Sequence, residues 1–173
     1  SKVAREDFQK VHLVVTKLNA TFGEGTVRAD EFSADLMELA ESSPRYAQNI
    51  GMLASTVGTM QAKMKAAGAT HEEARKIALN TMKALSDKEG EFTHKAAVTL
   101  MQEYTNAPGE FMKKIKSEGV PEQVGAEIEG LFQKAATGKI DRYMAGKIIL
   151  EKLGETEAGM GHVFNTMMDY MRR

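Results

Sequence analysis

The chain has 173 residues, enough to bury one sizeable core, and its 23 Lys plus Arg nearly cancel its 24 Asp plus Glu. That balance argues against a general nucleic-acid binder, which carries a clear basic excess. With no cysteine, disulfides, thiolate metal sites and cysteine nucleophiles are excluded. No apolar run reaches the roughly 20 residues of a membrane-spanning helix, and SKVAREDFQK does not read as a signal peptide. A start at Ser1 is expected of a processed form or a fragment of a larger, soluble protein, cytoplasmic or secreted.

In chain order, apolar spacing predicts an opening pair of helices at about 4–20 and 29–41. Ser43 and Pro44 open a third, longer helix through Leu53, Val57, Met60 and Met64 to Gly68. Thr70 with Glu73 forms a capping box for a helix carrying Ala74, Ile77, Ala78 and Met82. Helices at about 93–105, 108–118, 121–136, 141–153 and 156–171 complete a set of nine. Aromatic residues are only 6% and no alternating apolar pattern occurs, so strands have little support.

A repeat runs through these helices. A glycine, an apolar residue two positions on and a glutamate thirteen positions on recur as Gly25/Val27/Glu38, Gly90/Phe92/Glu103 and Gly138/Ile140/Glu151. The expected architecture is all-α, with three degenerate three-helix units at about 4–67, 71–118 and 121–171 packed as one bundle-like domain over 1–173. The glycines read as joints between helices, the apolar residues as plugs between loops, and the three glutamates as solvated flank positions.

The first junction, GEGTVRADEF, resembles the second half of an EF-hand calcium loop: Gly25 takes the sixth position, Val27 the eighth and Glu31 the twelfth, the bidentate one. Of the residues at positions one, three and five, Ala20, Phe22 and Glu24, only the last brings a side-chain oxygen. A plain helix-loop-helix junction is the preferred reading, and a degenerate calcium-responsive protein the alternative. The four histidines, His12, His71, His94 and His162, lie on different helices and read as surface or boundary residues. No Ser-His-Asp set, phosphate loop or paired Glu-x-x-His is present, so no catalytic, metal or cofactor residue is assigned.

Twelve methionines are many for this length. Methionine fills irregular core gaps and also lines adaptable docking grooves. Most of the methionines are expected in the core, but on the last helix Val163, Phe164, Met167, Met168, Tyr170 and Met171 exceed a single inward stripe. Phe164, Met167, Met168 and Met171, with Met60 and Met64 on the third helix, are the residues expected to meet a partner protein. The sequence thus predicts a non-catalytic protein-interaction or regulatory module, without nucleic acid or membrane span. An all-helical enzyme or effector domain is the further alternative, for which polar residues buried beside a cleft would be the sign.

Overall fold

A computed structural model describes the backbone from Lys2 to Arg172 and the side chains from Arg5 to Asp169. The protein is all-α: among the described residues there are ten helices and no strand. None is long and apolar enough to cross a membrane. The chain divides into two compact units, Ser1–Ser86 and Asp87–Arg173. That boundary falls inside the expected second repeat, 71–118, because the helix after Thr70 packs onto the helices before it.

The first unit holds α1 (Lys2–Phe22), α2 (Ala29–Ser42), α3 (Pro44–Gln48), α4 (Ile50–Ala66) and α5 (His71–Ser86). The tenth helix arises here, since the long helix expected from Pro44 breaks after one turn. Asn49 leaves helical geometry (φ −145°, ψ 76°) and its side chain accepts from the Met52 amide, so it caps a new helix. Pro44 does open α3, although Ser43 makes no side-chain cap bond. The Thr70–Glu73 capping box forms as expected, with reciprocal bonds of 3.2 and 3.3 Å.

Helix α4 packs on α1, α2 and α5, and from Leu53 to Gly58 each of its residues is buried. Met60, Met64, Leu36, Leu39, Ala74, Ala78 and Met82 fill the core around it. The α1–α4 contact is close at Gly58, where a β-carbon would stand 2.4 Å from Val14 Cγ1. Helices α2 and α5 are joined by a buried polar link: Arg75 donates from Nε and Nη2 to Asp35 Oδ2 and Oδ1 at 2.7 and 3.0 Å.

The second unit holds α6 (Glu91–Asn106), α7 (Pro108–Ser117), α8 (Glu122–Ala136), α9 (Arg142–Leu153) and α10 (Glu157–Arg172). These bounds lie within two residues of those expected. Helix α9 packs on α6 and α8, while α10 packs on α6, α7 and α9. Its aromatic centre is Tyr104 stacked on Phe132 (centroids 3.8 Å apart, planes 4° apart), with Phe111 edge-on to both.

The three junctions differ. Gly25 and Gly138 take left-handed backbone (φ 81° and 76°), which glycine adopts without steric cost. Gly90 has φ −73° and is the N-cap of α6. No bridge forms at Val27, Phe92 or Ile140. Val27 is instead pinned within its own loop by Asn19, whose amide donates to the Val27 carbonyl and accepts from its N–H.

Candidate functional site

The residues expected to meet a partner are mostly core. Phe164 and Met167 are 2% and 1% exposed, Met60 and Met64 are buried, and Met168 is half-buried. The side chain of Met171 lies outside the described residues. The surplus of apolar residues on α10 is absorbed inside the unit, because three other helices cover it.

What the second unit does assemble is polar. His162, on α10, has an imidazole that is 0% exposed. Its Nδ1 lies 3.2 Å from both carboxylate oxygens of Glu118, just past the end of α7. On the other side, Nε2 lies 3.3 Å from Oε1 of Glu103 on α6, a charge contact without an aligned hydrogen bond. Thr166, one turn along α10, donates to Glu103 Oε2 at 3.1 Å, and the Phe111 ring stands edge-on to the imidazole.

Burial alone would push the His162 pKa down, but the close Glu103 and Glu118 carboxylates outweigh it and hold the pKa above the usual 6.5. For Glu103 burial pushes the pKa up, yet His162, Thr166 and the Lys114 charge together hold it below the usual 4.5. The surroundings therefore favour the charged form of His162 and the ionised form of Glu103. His162 is thus buried where a surface or boundary position was expected, while Glu103 is half-buried on the flank of α6. Glu38 and Glu151 lie nearer the surface, paired with Lys83 and Lys88.

Glu103 also faces outward. It lines a cleft of about 520 Å³ between α6 and α10, together with Val98, Ala107, Lys114, Thr166 and Asp169. A second depression of about 410 Å³ adjoins it and shares Glu103, Ala107 and Lys114. Volumes in this range suit a small ligand or an inserted side chain. Val98, on the cleft wall, is 49% exposed.

The first unit brings Glu31, His71 and Glu72 together, with potential ligand atoms within 4.8 Å of one another. The guanidinium of Arg75 already stands beside both carboxylates, 3.5 Å from Glu31 and 3.4 Å from Glu72. Glu31, the expected bidentate calcium ligand, is thus directed at α5 and its charge is taken up by an arginine. His71 turns its ring toward the edge of Phe22, and His94 packs against Tyr143.

One signal in the sequence pointed to the buried cluster. Glu118 is an acid at the C-terminal end of α7, where the helix dipole disfavours negative charge, so it calls for a cation nearby. The identity of that cation, His162, 44 residues away, comes only from the fold. No protein family, curated protein or solved structure matches this chain.

Proposed function

We propose that the chain is a non-catalytic protein-binding module whose recognition site is the α6–α10 cleft. The observation that carries this reading is the cleft itself, where the apolar Val98 and Ala107 stand among polar Thr99, Gln102 and Asn106, with the charged Lys114 and Asp169 beside them. Such a surface suits a partner protein that inserts one apolar side chain and makes polar contacts at the rim.

Polar residues buried beside a cleft were the mark expected of an enzyme, yet their chemistry disfavours catalysis. His162 has no exposed surface and meets no substrate from the cleft. Glu103, held ionised, is a weak base and a poor acid near neutral pH. The triad supports the cleft wall and leaves recognition to the residues in front of it.

Selection of peptides from a displayed library against the intact chain tests this reading. The selected peptides should shift the NMR signals of Val98, Ala107 and Thr166. Val98→Glu, at a half-exposed position, should weaken them about tenfold or more, the loss expected of an anchor contact. Shifts confined to other surfaces, or equal binding by the variant, would overturn it.

A further inference from the structure

We propose that His162 is a proton-operated latch on the α6–α10 cleft: the protonated ring draws Glu103 back against α10, and loss of the proton releases Glu103 toward Lys114, closing the cleft.

Both ring nitrogens of His162 face carboxylates carried by different elements, Glu118 after α7 and Glu103 on α6. A neutral imidazole keeps one N–H. Nδ1, close to two oxygens of Glu118, is the better placed to keep it. Nε2 then turns a lone pair on Glu103 Oε1 at 3.3 Å, and with the ring fully buried that repulsion is only weakly screened.

Glu103 is the side able to respond. Its side chain is 26% exposed and faces the cleft, and Thr166 provides its other bond. Lys114 lines both depressions with it and has no ion pair among the described residues. Its charge already acts on Glu103.

Glu110 and Lys113 of α7 also line the adjoining depression with Glu103, while several other charged groups on the packed elements are engaged elsewhere. On α9, Lys147 holds Glu89, Lys152 holds Glu127, Glu151 meets Lys88, and Arg142 donates to Thr105. From α7 the ring meets Phe111 and Glu118, and on α10 itself Asp169 stands at the mouth of the cleft. The two carboxylates holding the pKa of His162 above 6.5 place the release on its alkaline side.

This inference rests on the preceding reading only for its consequence, control of partner access, and its test needs no partner. The intact chain is acetylated with N-hydroxysuccinimide acetate at a series of pH values, and the labelling ratio of Lys114 to Lys116 is read by mass spectrometry. Lys116 is an exposed amine on the same helix, so the general rise of amine reactivity with pH cancels. NMR follows the His162 ring in parallel. The expected result is a fall in the ratio of about two- to five-fold, the protection an exposed ion pair gives, across the His162 titration. Glu103→Gln, which changes a partly exposed side chain, should leave the ratio flat. A ratio unchanged through the titration, or an equal fall in Glu103→Gln, would overturn the latch while leaving the peptide experiment to judge the cleft.

Discussion

Arg75 grips Asp35 with two parallel hydrogen bonds across the α2–α5 contact, and the carboxylate is only 8% exposed. Removing the arginine would leave a buried charge without its fork-shaped partner. Arg75→Ala should therefore lower stability by about 2–4 kcal/mol, and Arg75→Lys, which keeps charge without the two-pronged geometry, by roughly half as much. Urea midpoints measure both, and a loss below about 0.5 kcal/mol for the alanine variant would place this link among ordinary surface pairs.

A second prediction sets two glycines against each other. Gly58→Ala drives a β-carbon to within 2.4 Å of Val14 Cγ1, a stiff branched side chain in the core. It should cost about 1–3 kcal/mol, and the cost should shrink in a Val14→Ala background. Gly130, inside α8, has nothing within 4 Å of its added β-carbon. There, Gly130→Ala should stabilise by about 0.5–1 kcal/mol through helix propensity alone. Thermal unfolding of the four variants decides the sign in each case.

The third concerns pH. In the folded chain the His162 pKa is raised, so its contribution to stability is full below 6.5 and is lost as pH rises through the folded-state value. The Glu103 pKa is lowered, so its contribution is present above 4.5 and lost as pH falls through its own folded-state value. The stability supplied by this pair should be greatest between about 4.5 and 6.5. Urea midpoints followed from that range to higher pH should decline on the alkaline side, and His162→Gln should flatten that decline. An alkaline decline equally steep in the variant would remove His162 from the account.

Helix positions were largely legible because each carries local signals: a 3.6-residue apolar period, the Thr70–Glu73 box, and prolines at starts. The break at Asn49 was missed because the apolar spacing continues across it, while the cap that divides the helix comes from one polar side chain. The grouping into units was not legible either, since equal spacing of glycines reports similar joints and says nothing of which helix packs on which.

The polar clusters were hidden for a related reason. Asp35 sits on the same stripe as Phe32, Leu36 and Leu39, an acid among core positions, which is a readable sign of a buried pair. Its partner, 40 residues on, is not readable. Likewise Glu103, Glu118 and His162 meet only through the packing of three helices. The expectation that most methionines are core holds for Met60, Met64, Met82, Met101, Met160 and Met167, but spacing alone does not say which apolar residues of the last helix are covered by the three helices packed on it.

The enclosed stretch of α4 carries a consequence for sequence change. Most helices keep a wet side on which one polar residue can replace another without effect, so a random substitution has a fair chance of being silent. From Leu53 to Gly58 no such side exists. This stretch should accumulate changes more slowly than any other run of six residues in its unit, and replacements that do occur there should be matched in volume by compensating changes on α1, as the Gly58–Val14 contact requires.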